Sequence, residues 1–212
     1  MEFIEVLLDI DSFLALYIKK YGILIYFILF FIIFAETGLV VTPFLPGDSL
    51  LFAIGAVAAT GSMEIKLIAP LLMFAAILGN AVNYRIGYTI GPKIFRRENV
   101  RFLDKKSLEK TKLFYEKYGG KAIILSRFLP IFRTFVPFVA GIGKMNYGKF
   151  MSYNLIGGSL WVLFFILGGY YFGNISYVQN NFGLVIIGIV VVSLIPSVVE
   201  YLKYRNQISK EK

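Results

Sequence analysis

Two arginines, Arg127 and Arg133, stand in an otherwise apolar run, 126–143, that also holds Pro130 and Pro137. An ionised side chain in hydrocarbon costs a few kcal/mol or more, so it is kept there when it has a partner or a task. Guanidinium stays charged on burial and presents a planar fork of donors that fits phosphate oxygens, which makes the pair a candidate phosphate clamp. Two carboxylates, Glu36 and Asp48, sit in equally apolar surroundings. Burial raises a carboxylate pKa and a neighbouring arginine lowers it again, so these two are candidates for proton coupling.

The spacing says what must position these groups. On an unbroken helix the two arginines would point roughly 240° apart. Pro130 between them, with Pro137 also expected to shape the hairpin, predicts a broken or re-entrant element in which both turn to one cavity, because proline removes a backbone donor and irregular backbone at membrane depth must be protein-covered or line a cavity. Glu36 and Asp48 would lie about 18 Å apart on a straight helix. They meet only if Pro43, Pro46 and Gly47 fold the chain back. Asp48 or Ser49 then begins a half-helix whose free N–H groups they can cap and whose N-terminus favours an anion. Ser49, Asn80 and Arg85 are accessory candidates, with Arg85 placed to snorkel to the interface. Tyr84, Tyr88 and Trp161 read as packing or interface residues. The same four charges also admit a plainer reading, a structural cluster that locks two hairpins together.

With 58% hydrophobic and only 17% charged residues, a 212-residue chain lacks the polar surface of a soluble domain. Histidine and cysteine are both absent, which removes Ser-His and His-nucleophile hydrolysis, thiolate chemistry and the usual metal ligands. The expectation is therefore not an enzyme, with no cofactor and no metal. A net charge of +9 could mean nucleic acid, but the basic residues flank apolar segments and form no soluble domain, so no nucleic-acid partner is expected. No cleavable signal is evident: Glu2, Glu5, Asp9 and Asp11 occupy the place of a basic n-region.

In order, residues 1–20 predict an interfacial amphipathic helix with an acidic face, set against basic protein surface or simply solvated. Residues 22–41 form a first span, 42–61 a re-entrant hairpin and 65–91 a second span, ended by Pro92 and rich in Ala75, Ala76, Gly79, Ala81, Gly87 and Gly91. The 92–121 linker is basic, with ten lysines or arginines in 93–121. A surface helix is expected there from about Lys105 to Tyr118, stopped by Gly119 and Gly120. Residues 122–143 form the second hairpin, 150–173 the third span and 182–201 the fourth. If both termini are cytoplasmic and the hairpins enter from opposite faces, nearly every lysine and arginine outside the apolar segments lies on the cytoplasmic side, Lys66 being the exception. Phe44-Leu45-Pro46 answers Phe128-Leu129-Pro130, Gly55-Ala56 roughly answers Ala140-Gly141, and Gly87-Tyr88 to Gly91 answers Gly169-Tyr170 to Gly173. Opposed hairpins and matched segments are the pattern of an inverted repeat. The expected fold is one all-α polytopic membrane domain over 1–212, with about four spans, two opposed re-entrant hairpins and amphipathic surface helices.

Laid out in this way, the chain resembles the DedA family, also called the SNARE-associated or VTT-domain family. The resemblance runs over nearly the whole length: Glu36 to Leu39, Pro43 to Leu51, Gly79 to Tyr84, Phe114 to Lys121, Arg127 to Pro137, and Gly141. One departure is Asn80, where many members have Asp. The resemblance implies two hairpins facing each other across the bacterial cytoplasmic (inner) membrane, and transport of the carrier lipid undecaprenyl phosphate driven by the proton motive force. Eukaryotic relatives are described as phospholipid scramblases. It also implies essential roles for Glu36, Asp48, Arg127 and Arg133.

The expected function is thus translocation of a polyprenyl phosphate, with Arg127 and Arg133 on the phosphate and Glu36 and Asp48 exchanging protons. The partners are membrane lipid, undecaprenyl phosphate or a phospholipid, and protons; a homo-oligomer is compatible with the sequence. A phospholipid scramblase and a proton- or cation-coupled small-solute antiporter are the alternatives, and a scaffold would need no buried charge at all.

Overall fold

A computed structural model describes residues 22–39, 47–94 and 105–180, together with Val185 and Gly188. The expected interfacial helix at 1–20, the proline turn with Pro43 and Pro46, and nearly all of the fourth span at 182–201 lie outside the described residues. Regular structure among the described residues is entirely helical. The order is α1 (Ile23–Gly38), α2 (Gly47–Ala59), α3 (Ile65–Ile94), α4 (Lys105–Tyr118), α5 (Lys121–Ser126), α6 (Pro130–Ile142), α7 (Tyr147–Gly173) and α8 (Ser176–Asn180).

Two of these are long and apolar enough to cross a membrane, Ile65–Thr89 within α3 and Tyr147–Gly173. Each shows large apolar side chains to its surroundings, Leu67, Phe74 and Leu78 on α3 and Leu155, Leu160 and Phe164 on α7. That is the surface hydrocarbon solvates. The 22–41 segment differs from the expected full span: α1 has 16 residues, about 24 Å at the usual rise. Pro92 does not end α3, which runs on to Ile94. A proline inside a helix gives up one backbone hydrogen bond, and α3 bears that loss. Pro137 likewise lies inside α6 and does not break it. The surface helix α4 keeps its expected bounds; Gly119 follows it at φ +57 and donates its N–H to Tyr115 O at 2.7 Å, a left-handed exit that suits glycine.

The chain divides into two compact units. In the unit formed by Tyr26–Leu45 and Lys66–Phe164, the core of Tyr84, Ala122, Ile123, Val136, Ala140 and Phe150 joins α3, α5, α6 and α7. Tyr84 stacks on Phe150 at 4.4 Å and donates its hydroxyl to Met145 O. The helices approach through glycine. A Cβ on Gly141 would lie 2.1 Å from Tyr84 O, and one on Gly87 would lie 2.2 Å from Phe138 O. In the unit formed by Met1–Ile25, Pro46–Ile65 and Phe165–Lys212, the same crossing recurs. A Cβ on Gly55 would lie 2.1 Å from Ile166 O and 2.9 Å from Tyr170 N, and one on Gly169 would lie 2.0 Å from Phe52 O. Gly55 therefore answers Gly141 itself, one residue on from the pairing suggested by the sequence.

Candidate functional site

The break that brings the arginines together is built from the backbone. After α5, the N–H groups of Arg127, Phe128 and Leu129 bond to Ile124, Leu125 and Ser126 carbonyls, a tight turn of three-residue reach. Leu129 is then extended, φ −120 and ψ 103, because a residue ahead of proline is excluded from the helical region, and Pro130 opens α6 at its first turn. Arg127 departs from the turn and Arg133 from the start of α6, so the helical angle between them no longer applies. The Arg133 Nε donates to the Arg127 carbonyl at 3.0 Å, an oxygen left over where α5 ends.

Both guanidinium groups are buried, Arg127 at 0% and Arg133 at 4% exposure, and both lie against one indole. Their central carbons are 5.8 Å and 4.6 Å from the Trp161 ring centroid. The ring's negative face offsets part of the cost of placing two like charges side by side. Arg133 Nη1 meets Glu36 Oε1 at 2.7 Å, a buried ion pair. Arg127 has neutral partners instead. Its Nη2 donates to Ala76 O at 3.1 Å and to Asn154 Oδ1 at 2.7 Å. Asn80, with its amide turned so that oxygen faces the guanidinium, accepts from Nη2 at 2.8 Å and Nε at 3.2 Å and donates to Thr37 O at 3.3 Å. The buried Nη1 of Arg127 has no partner among the described residues.

Glu36 reaches this place because the C-terminus of α1 is buried, with Glu36, Thr37 and Gly38 all inside. Gly38 and Gly79 let α1 and α3 meet backbone to backbone; a Cβ on Gly79 would lie 2.0 Å from Thr37 Oγ1. The last carbonyls of a helix need outside donors. Asn83 Nδ2 supplies one to Thr37 O at 3.2 Å and another to Thr134 O at 2.8 Å. That second bond reaches the α6 backbone about one turn before Pro137.

Of the residues singled out in the sequence, Glu36, Asn80, Arg127 and Arg133 come together, and Pro130 shapes the break. Asp48 and Ser49 are half-buried in the first turn of α2, which Gly47 begins, and they belong to the other unit. Arg85 does not join the cluster. It is exposed, with its guanidinium carbon 5.6 Å over the Tyr88 ring, because on α3 it points roughly 140° away from Asn80. Three further residues belong to the site: Asn154, Asn83, and Trp161, which the sequence offered only as a packing or interface residue. A signal existed on α7, where Asn154, Gly157, Gly158 and Trp161 share one face at i, i+3, i+4 and i+7. Gly158 leaves room for the arginine, since a Cβ there would lie 3.3 Å from Arg127 Nη2.

The VTT domain family matches residues 45–171. Protein DedA of Escherichia coli (strain K12) is 52% identical over 96% of this chain and 94% of its own length. An uncharacterized membrane protein of Mycobacterium leprae (strain TN) is 41% identical over 83% of this chain and 79% of its own. Inner membrane protein YqjA of Escherichia coli (strain K12) is 35% identical over 71% and 68%. No solved structure matches. With the match covering most of the chain and both arginines inside it, this protein belongs to the DedA family of VTT-domain membrane proteins.

Proposed function

We propose that this protein is a membrane transporter that carries a polyprenyl phosphate, such as undecaprenyl phosphate, across the bacterial inner membrane, with Arg127 and Arg133 receiving the phosphate. One observation carries the reading: two buried guanidinium groups share an indole, while among the described residues one carboxylate, Glu36, forms an ion pair with Arg133 and Arg127 is held by neutral groups. Such a pocket holds more cation than anion, and a phosphate supplies the missing charge. The lipid tail stays in hydrocarbon. Coupling follows from competition. Ionised Glu36 holds Arg133 when phosphate is absent; protonated Glu36 releases it when phosphate arrives. Asp48, in the first turn of α2, serves as the second exchanging carboxylate. α2 and α6 are the returning arms of two re-entrant hairpins that enter from opposite faces, supported by the distribution of lysine and arginine along the chain and by the repeated glycine crossing.

The test is transbilayer movement of undecaprenyl phosphate in proteoliposomes, with and without an imposed pH gradient, for wild type, Arg127→Ala and Glu36→Gln. Movement that needs Arg127 and loses its response to the gradient in Glu36→Gln is expected. Movement indifferent to the gradient makes the protein a scramblase. Absence of movement in folded protein overturns transport of this lipid.

A further inference from the structure

Resting on the phosphate reading above, we propose that Asn80 sets the charge of the site: its neutral amide leaves Arg127 a standing buried cation, and this makes Arg127 the first seat of a phosphate monoester headgroup. The two arginines are not equivalent. Arg133 is engaged by Glu36 at 2.7 Å, so an anion reaches it only by displacing or discharging that carboxylate. Arg127 is held by Ala76 O, Asn154 Oδ1 and Asn80, all uncharged. These oxygens satisfy its Nη2 and Nε edge without cancelling its charge, and Nη1 keeps no partner among the described residues. A cation held in this way retains its full attraction for an anion in a medium that screens weakly.

Position 80 decides this. The Asn80 oxygen touches both Nη2 and Nε, at 2.8 Å and 3.2 Å, the two-point approach that a carboxylate makes to arginine. A carboxylate on the same stem would neutralise Arg127 at almost no change in volume. Thr37 O would lose the Asn80 donor but keep Asn83 Nδ2 at 3.2 Å. Binding then has an order: phosphate goes first to Arg127, which no carboxylate contacts among the described residues, and then competes with Glu36 for Arg133.

The chain has one tryptophan, Trp161, and it faces the Arg127 guanidinium at 5.8 Å, so its fluorescence reports on the site directly. The experiment titrates the full chain in detergent with farnesyl phosphate, with farnesol as the uncharged control, between pH 5 and 8. Wild type should give a saturable change that farnesol does not. Asn80→Ser, neutral but too short to make both contacts, should weaken binding clearly less than Asn80→Asp does. Asn80→Asp should weaken it by about tenfold or more across the whole range, because a carboxylate beside a guanidinium stays ionised there. It should also raise the Tm, since a buried cation gains a counter-ion. The proposal is overturned if wild type gives no saturable change or responds equally to farnesol. It is also overturned if Asn80→Asp binds within about threefold of wild type, if Asn80→Ser loses as much as Asn80→Asp, or if Asn80→Asp lowers the Tm or does not fold. The two readings fail separately. If undecaprenyl phosphate does not move in vesicles yet the titration follows this pattern, the lipid reading falls and the charge assignment stands. If Asn80→Asp transports and binds like wild type, the reverse holds.

Discussion

A buried arginine pair asks for shape as well as charge, and substitutions that keep one but not the other separate the two. Arg133 makes an ion pair through Nη1 and a second bond through Nε to Arg127 O, while its central carbon lies 4.6 Å from the Trp161 ring centroid. Lysine offers a point charge with no fork and no plane. Arg133→Lys should therefore lower transport in proteoliposomes by about tenfold or more, roughly 1.4 kcal/mol of recognition, and a purely structural charge cluster would tolerate it better. Trp161 allows a matched pair of changes. Trp161→Phe keeps an aromatic face and should retain most transport; Trp161→Leu removes the face, worth about 2 kcal/mol when desolvated, and should lose most of it. Removing Glu36 outright leaves Arg133 buried without that counter-ion, so Glu36→Ala should cost about 3–5 kcal/mol, visible as a large fall in Tm, while Glu36→Gln keeps an acceptor and folds. Charges in apolar sequence announced themselves, which is why Glu36, Arg127 and Arg133 were legible. Asn154 was not, and Trp161 was legible only as a packing or interface residue, because an amide and an aromatic ring are ordinary in a span until the partner from another helix is known.

Helices here approach one another where a side chain is missing. The Gly141 position admits no Cβ without meeting the Tyr84 carbonyl at 2.1 Å, whereas a Cβ on Gly143, two residues on, would have Val139 O at 3.4 Å as its nearest neighbour. Gly141→Ala should cost about 2–3 kcal/mol or more through backbone displacement, and Gly143→Ala should be nearly neutral, both read by thermal unfolding in detergent. Gly55→Ala should match Gly141→Ala, because its Cβ would lie 2.1 Å from Ile166 O in the equivalent crossing. The helical segments were readable from apolar length and from glycine and proline punctuation, and α4 kept both expected ends. The prolines were not all readable in the same way. Pro130 breaks the chain because it follows a turn and an extended leucine, while Pro92 and Pro137 sit in helices that continue past them. Local sequence gives the cost of a proline, and the surrounding packing decides whether the helix bears it.

For the whole molecule, the topology expected from lysine and arginine placement is open to direct mapping, because the chain has no cysteine to remove. Ser62→Cys, in the turn between α2 and α3, should react with an impermeant maleimide in intact spheroplasts; Lys112→Cys on α4 and Lys210→Cys should react only after permeabilisation. Reaction of Lys112→Cys from outside would overturn the arrangement. The partners of Arg127 carry one more consequence, for the order of synthesis. Ala76 and Asn80 precede the arginine in the chain, but Asn154 and Trp161 follow it. At ordinary elongation rates the ribosome takes about 2–7 s to travel from Arg127 to Trp161. Throughout that interval the newborn arginine has only half of its final cradle. The α5 and α6 segment must therefore wait in the translocon or at the lipid interface until α7 emerges, so insertion of the arginine hairpin belongs to a late step of biogenesis, and nascent chains arrested before Asn154 should remain extractable there.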